Sequence, residues 1–408
     1  MAVHAVSSRL LPTPGLEQRH ASRGIRTNGG RYELAAGSGD AEVSEFSVFD
    51  HRSMAHALQL AARGMFTTQP NPRVGCVIAQ GETWVGEGAH LQAGGPHAEV
   101  FALRQAGAQA RGATAYVTLE PCAHHGRTPP CAEALVAAQV KRVVVAAGDP
   151  FDQVNGRGVQ RLREAGIEVQ VGLMEAQARE LNLGFYARVQ RRRPFVRLKL
   201  ASSLDGRIAL ANGASRWVTG AAARQDVQYW RARSSAILSS ARTVEIDDPL
   251  LTVRLDQPFA PPLRVILAHR RLPPISARLF HDRATPTLLV APPELLKGTD
   301  WPCQTLALPA NEQGVELPQL LHALAERGIN ELHTECGGIL AASLLRAELV
   351  DELLWYQAPR LLGGDSRPAL GALGVTELTE QGRWRLLECR QVGEDLRLRL
   401  RPVAVPSI

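Results

Sequence analysis

Pro96-His97-Ala98-Glu99, then Thr118-Leu119-Glu120-Pro121-Cys122, then Cys131 bring one imidazole, two thiols and a spare carboxylate into a short span of chain. A catalytic zinc takes three protein ligands and keeps a fourth position for water, and one His with two Cys is such a set. Water held there falls from a pKa near 16 to about 7. Glu99, two residues after His97, is not needed as a ligand and is placed to carry protons. His97 follows Gly94-Gly95-Pro96, Cys122 follows the strand-like run Ala115–Leu119, and Cys131 opens an apolar helical pattern. A lone His or Cys is ordinarily packing. Three ligands at the ends of alternating strands and helices instead describe a cleft at the rim of an α/β sheet.

The pattern H-x-E followed by P-C and a second Cys matches the zinc-deaminase signature, in which the Glu serves the ring nitrogen and the leaving amine. One feature departs from it. Eight residues, Ala123 to Pro130, separate the cysteines instead of two, so a loop delivers the second thiolate. A purely structural zinc remains an alternative, but it requires four protein ligands.

Outward from this stretch the chain reads as α/β. Met54, Ala55, Leu58, Ala61 and Ala62 repeat at helical spacing up to Gly64. The turn Pro70-Asn71-Pro72-Arg73-Val74-Gly75 opens a strand at Cys76–Ala79, and a second strand follows at Trp84–Glu87. A helix at Ala98–Gln105, a helix at Ala132–Ala138, a strand at Arg142–Ala146 and a strand at Glu168–Val171 continue the alternation, with helices expected on both faces of one sheet.

The 408 residues allow two domains or more, and six cysteines are too sparse for a disulfide framework. No apolar run reaches the length of a membrane span. The net charge of +6 is spread out and no basic–aromatic interleaving occurs, which argues against nucleic acid and for small phosphorylated ligands. The densest basic run, Arg191-Arg192-Arg193 before Pro194, reads as a solvated linker. Residues 1–46 lack periodicity and read as a disordered or non-native extension, with an organellar targeting segment as the second choice. A cytoplasmic enzyme is expected.

The segments Pro70–Gly75, Pro96–Glu99 and Thr118–Cys131, with the long loop between the cysteines, resemble the deaminase half of the bifunctional riboflavin-biosynthesis deaminase and reductase family. The resemblance implies that His97, Cys122 and Cys131 bind Zn²⁺ and that Glu99 is the proton shuttle. It further implies that Asn71 contacts the pyrimidine and that His124 and Arg127 lie near the phosphoribosyl group.

In the second half, Phe195–Ala201 reads as a strand, Ala221–Arg233 as a helix, and Ala236–Leu238 and Leu263–Leu267 as strands. Glu331–Glu335 runs into Cys336-Gly337-Gly338 and a helix from Ile339 to Leu345, an arrangement that is either a phosphate cradle or an ordinary tight turn. Lys199, Ser203–Gly206, Ser215-Arg216-Trp217, Thr243, Asp247-Asp248-Pro249, Leu251, Arg254 and Glu335–Gly338 resemble the reductase half of the same family, whose fold is similar to dihydrofolate reductase. This implies NADPH near Ala201, Trp217, Thr243, Asp247, Gly337 and Gly338. Ser215, Arg231, Leu251, Arg254 and Glu335 would bind substrate, with Ser215, Arg231, Arg254 and Glu335 on its sugar phosphate, and Lys199 would support the reduction. Asp205 either fixes its own turn or touches ligand.

The expectation is therefore a cytidine-deaminase-like three-layer α/β/α domain at 47–193 and a dihydrofolate-reductase-like α/β domain at 194–408. Together they would deaminate 2,5-diamino-6-ribosylamino-4(3H)-pyrimidinone 5′-phosphate and then reduce the ribosyl group of the product, in a homo-oligomer with no nucleic-acid or membrane partner. Two alternatives stay open: a second half that only binds or assembles, and a tRNA-editing deaminase.

Overall fold

The computed structural model describes residues 46–123, 130–151, 155–312, 314–377 and 384–403. Helix α1 (Val48–Ala62) starts at a reciprocal cap in which Ser47 and Asp50 satisfy each other's backbone N–H. There follow β1 (Gly75–Gln80), β2 (Thr83–Ala89), α2 (Ala98–Ala106), β3 (Thr114–Val117), α3 (Cys131–Ala137), β4 (Arg142–Val145), α4 (Arg157–Glu164), β5 (Glu168–Val171), α5 (Glu175–Leu181) and α6 (Leu183–Arg191). The five strands form one sheet in the order β2-β1-β3-β4-β5, antiparallel on both sides of β1 and parallel from β3 to β5.

Side chains alternate across this sheet, as the two-residue strand period requires. Cys76, Ile78, Ala115, Val117, Val143 and Val145 pack with α2, α3 and α4, whereas Val77, Ala79, Tyr116 and Val144 pack with α1, α5 and α6. The result is the expected three layers. Two glycines decide how closely α2 lies on the sheet. A Cβ at Gly88 would stand 2.1 Å from the carbonyl of Ala98, and one at Gly86 would stand 2.2 Å from that of Ala102. Gly88→Ala is expected to lift the start of α2, which carries Glu99, and to lower ammonia release more than about tenfold, with a fall in melting temperature seen by calorimetry.

The second half contributes β6 (Phe195–Ser203), β7 (Arg207–Ala209), α7 (Ala221–Arg233), β8 (Ala236–Ser240), α8 (Ala241–Asp247), β9 (Leu263–Leu267), α9 (Arg278–His281), β10 (Thr287–Ala291), α10 (Pro293–Leu296), β11 (Gln304–Ala307), β12 (Ala310–Asn311), β13 (Gly314–Val315), α11 (Leu317–Glu326), β14 (Glu331–Glu335), α12 (Gly338–Arg346), β15 (Glu352–Ala358), β16 (Arg367–Pro368), β17 (Trp384–Val392) and β18 (Asp395–Pro402). Nine of these strands make one sheet in the order β11-β10-β9-β8-β14-β6-β15-β18-β17, parallel as far as β15. β14 lies between β6 and β8, its carboxyl end opening on the Gly337-Gly338 turn. Val196, Leu198, Leu238 and Leu332 pack with α11 and α12 on one face, and Ile237, Ile266 and Leu289 pack with α8 and α9 on the other.

The two sheets meet through charge. Arg73, from the turn before β1, donates to Glu331 Oε1 (2.8 Å), while Arg233 and Arg197 reach Glu331 Oε2 at 2.9 and 3.2 Å. Glu352 takes Arg197 (2.8 Å), Arg399 (2.9 Å) and Arg401 (2.8 Å), and Arg401 also pairs with Glu180 of α5 at 2.7 Å. Neither Glu331 nor Glu352 has any exposed surface.

The basic run is not a solvated linker. Arg191 closes α6 and pairs with Asp351 at 2.8 Å, and Arg193 reaches the other oxygen of the same carboxylate at 2.7 Å. Asp351 is 3 % exposed and also accepts the N–H of Val196, so the arginines are drawn inward to neutralise it.

Asp50 supplies a pH test of the first sheet. Burial raises its pKa, but Arg142, Tyr116 and Ser47 outweigh that and bring it down to about 2. A carboxylate depressed in the folded state stabilises above its unfolded pKa, near 4, and loses that contribution as pH falls toward 2. Asp50→Asn should therefore lower the melting temperature at pH 7 and flatten its decline between pH 4 and 2.

Candidate active sites

His97 is the last residue before α2, with extended backbone, so Glu99 falls in the first turn of that helix. Cys122 lies beyond β3 and Cys131 is the first residue of α3. The ligand atoms of His97, Cys122 and Cys131 all lie within 4.8 Å of one another. His97 Nδ1 is 3.2 Å from Cys131 Sγ and 3.7 Å from Cys122 Sγ. Tetrahedral zinc at its usual bond lengths separates such atoms by about 3.6 to 3.8 Å, so the donor set fits the ion with small shifts. The Cys131 N–H points at Cys122 Sγ (3.3 Å), and the thiol bond from Cys131 with the adjacent imidazole brings Cys122 down to about 4. A ligand that sheds its proton this readily suits a divalent cation.

Glu99 is 3 % exposed, and its Oε2 is buried without a hydrogen-bond partner. Burial holds its pKa above the usual carboxylate value. Such an orphaned oxygen is costly unless a ligand, water or substrate completes it.

Asn71 belongs to the same pocket. Its Nδ2 lies 3.1 Å from Nε2 of His90, whose Nδ1 lies 3.0 Å from the carbonyl of Pro96. His90 is 2 % exposed, and its ring meets that of His97 edge-on at 5.5 Å. Burial lowers its pKa, so it is neutral and can donate from Nδ1 while accepting from Asn71. Sequence reasoning missed His90, because an isolated His at a strand end carries no spacing signal. His90→Leu should leave metal content intact while reducing kcat/KM for deamination about tenfold, the worth of one well-placed hydrogen bond. His124 and Arg127 lie outside the described residues.

Glu120, also missed, is a buried carboxylate that accepts from the N–H groups of Gly158 (2.9 Å) and Gly156 (3.0 Å). It ties the segment carrying Cys122 to the start of α4.

The second sheet has its own cavity, about 1520 Å³, at the carboxyl ends of its parallel strands. Lys199, Ala201, Ser215, Trp217, Arg231, Thr243, Asp247, Leu251, Arg254, Glu335, Gly337 and Gly338 all line it. Open parallel sheets hold ligands at this end. Gly337 precedes the first turn of α12, and a Cβ on Gly338 would approach the carbonyl of Ala369 to 3.0 Å, so a side chain there would press on the neighbouring backbone.

Two of the expected phosphate-binding residues are turned on each other. Arg231 forks onto Glu335 through Nε (2.5 Å) and Nη2 (2.9 Å), and its Nη1 donates to the carbonyl of Thr252 (2.8 Å). Burial alone would raise the Glu335 pKa, but Arg231 carries it well below the usual range. An ionised carboxylate repels phosphate and accepts hydroxyls, so the pair suits the sugar rather than its phosphate. Arg254 is exposed at the cavity, and its guanidinium has no protein partner among the described residues. Lys199 has its pKa lowered by burial, against the pull of Glu335. Asp205 fixes its own loop: it takes the hydroxyl of Ser203 (2.5 Å) and the N–H groups of Leu362 and Gly363.

Comparison with known proteins now bears on both halves. Residues 47–147 match the cytidine and deoxycytidylate deaminase zinc-binding region, and residues 194–398 match the RibD C-terminal domain. The riboflavin biosynthesis protein RibD of Escherichia coli K12 is 47 % identical over 366 residues, covering 86 % of this chain and 99 % of that protein. The chain belongs to the RibD family. The solved structure of Acinetobacter baumannii RibD superposes with a TM-score of 0.81 at 47 % identity, covering 87 % of this chain and 99 % of that one. The solved structure of the Thermotoga maritima diaminohydroxyphosphoribosylaminopyrimidine deaminase/5-amino-6-(5-phosphoribosylamino)uracil reductase gives a TM-score of 0.77 at 30 % identity, with 87 % of this chain and 99 % of that one covered. Both halves of the fold thus follow the family, and among the described residues no helix is long and apolar enough to cross a membrane.

Proposed function

We propose that this RibD-family chain catalyses two successive steps of riboflavin synthesis: hydrolytic deamination of 2,5-diamino-6-ribosylamino-4(3H)-pyrimidinone 5′-phosphate, then reduction of the ribosyl group of 5-amino-6-(5-phosphoribosylamino)uracil to ribityl. Residues 47–193 carry the first step, residues 194–408 the second, and residues 1–46 are an extension to both. The observation that carries the deaminase reading is the buried, unpartnered Glu99 Oε2 beside three converging ligand atoms.

His97, Cys122 and Cys131 hold the metal, and Zn²⁺ when bound supplies the Lewis acid that makes water nucleophilic at neutral pH. Glu99 takes one proton from the attacking water and delivers it to the ring nitrogen, then takes the second from the added hydroxyl and delivers it to the amino group as the C–N bond breaks. Both protons of the water are thereby accounted for, in the ring N–H and the ammonia. Asn71, held by His90, orients the pyrimidine. In the second cavity Gly337, Gly338, Ala201, Trp217, Thr243 and Asp247 would hold NADPH, which would supply the hydride for C1′. Arg254 and Ser215 take the sugar phosphate, Leu251 packs against the substrate, and the Arg231–Glu335 pair accepts its hydroxyls. Lys199 lines the same cavity and supports the reduction, its pKa lowered by burial against the pull of Glu335.

The test is purified, zinc-loaded protein given the diaminopyrimidinone ribosyl phosphate and NADPH. Ammonia release followed by equimolar NADPH oxidation is expected. Ammonia without NADPH oxidation would reduce the second half to a binding domain, and no ammonia would remove the deaminase assignment.

A further inference from the structure

Asn71 lies in the zinc pocket beside His90, but the chain on either side of it is fastened to the other half of the molecule. Gln69 donates from Nε2 to the carbonyl of Arg233 (2.8 Å), and its Oε1 takes the hydroxyl of Ser235. Asn330 Nδ2 donates to the Pro70 carbonyl at 2.8 Å, the oxygen of the peptide that joins Pro70 to Asn71. Beyond Asn71, Arg73 reaches Glu331 Oε1 (2.8 Å) and the Arg233 carbonyl (3.3 Å). A planar peptide leaves two soft torsions per residue, so pinning the plane before Asn71 and the side chain two residues after it sets where the Asn71 amide points.

The holders are themselves fixed. Asn330 is 3 % exposed and its Oδ1 takes Arg188 Nε, which leaves Nδ2 for Pro70. Ser235 Oγ accepts the N–H groups of Asn330 (3.0 Å) and Glu331 (3.2 Å), so its own proton is free for Gln69. The first half adds a bond from the Asn71 N–H to the Thr68 carbonyl (2.8 Å) and one from the Arg73 N–H to Asn182 Oδ1 (2.8 Å), and neither involves Gln69 or the Pro70 carbonyl. Ser235 precedes β8 and Asn330 precedes β14, whereas the reductase cavity lies at the carboxyl ends of those strands. Four residue steps of strand separate the two ends by roughly 13 Å. A small change at the amino ends therefore bears on the zinc pocket without entering the other cavity.

We propose that Asn330 and Ser235, residues of the reductase half, are positioning residues for deamination, holding Gln69 and Pro70 so that Asn71 meets the pyrimidine. The inference rests on reading the zinc pocket as a deaminase with Asn71 on its substrate. Asn330→Asp keeps the side-chain volume and the acceptor for Arg188 but loses the donor to Pro70. In the zinc-loaded full chain it should raise the KM of deamination and lower kcat/KM at least about tenfold, the scale of a slightly misplaced binding group, with kcat changed less. Zinc content should not change. NADPH oxidation with 5-amino-6-(5-phosphoribosylamino)uracil supplied directly should stay within about twofold of the parent, as expected for a distant, independent site. Ser235→Ala should act in the same direction, and Ser235→Thr, which restores the hydroxyl, should recover most of the loss.

Deamination kinetics unmoved in both Asn330→Asp and Ser235→Ala would show that the first half sets Asn71 by itself, overturning the assignment while the deaminase reading stands. Equal losses of both activities with a lower melting temperature would reduce the two residues to packing and also overturn it. A parent protein that released no ammonia would remove the deaminase reading and this inference with it.

Discussion

Glu99→Gln should release ammonia at least about a hundredfold, and up to about ten thousandfold, more slowly than the parent protein, the range in which a positioned general acid–base group contributes. The amide is isosteric and neutral, so the buried position tolerates it, but it cannot take up and hand on a proton. Zinc content measured by atomic emission should stay at that of the parent, because His97, Cys122 and Cys131 supply the ligand atoms without Glu99. NADPH oxidation with the uracil intermediate supplied directly should persist. Loss of zinc in this variant would make Glu99 a ligand and overturn its role as proton carrier.

The second large effect concerns stability. Glu331→Ala removes the one carboxylate shared by Arg73, Arg197 and Arg233 and leaves three largely buried cations facing one another. Breaking a buried pair costs about 3–5 kcal/mol. At about 2–4 °C per kcal/mol for a large domain, the melting temperature should drop by roughly 6 to 20 °C. Both activities should be lost together, since Arg73 is two residues from Asn71 and Glu331 starts the strand that ends at Glu335. A variant that kept the parent melting temperature would show that the cluster contributes nothing net. The pKa of Glu331 is pulled far below the carboxylate norm by these arginines against the effect of burial. Its stabilisation is therefore full above pH 4 to 5 and lost as the solution is acidified.

How much of this was legible in the sequence differs by kind of interaction. The strands Glu168–Val171, Leu263–Leu267 and Glu331–Glu335 and the helix Ala221–Arg233 have the bounds that their periodicity predicts, because each is a local pattern bracketed by turn residues. His97, Cys122 and Cys131 were legible because metal chemistry restricts both residue type and placement. The charged seam between the sheets was not. Arg73 and Glu331 are 258 positions apart, and nothing local marks either as buried. A partial signal did exist in Arg397-Leu398-Arg399-Leu400-Arg401, where the two-residue period places three arginines on one face of β18. The Arg191–Arg193 run was misread for the same reason: its partner, Asp351, comes some 160 residues later.

The position of β14 also sets an order on biosynthesis. Strands β6 and β8 leave the ribosome well before β14, yet in the finished sheet they are separated by it and never bond to each other. Until residue 335 has emerged, both present open parallel edges, the surfaces on which nascent chains pair wrongly or aggregate. The first sheet is closed by strands that all lie before residue 172 and can fold while this one waits. Translation speed across residues 204–335, and chaperone supply during it, should therefore govern the yield of reductase more than that of deaminase.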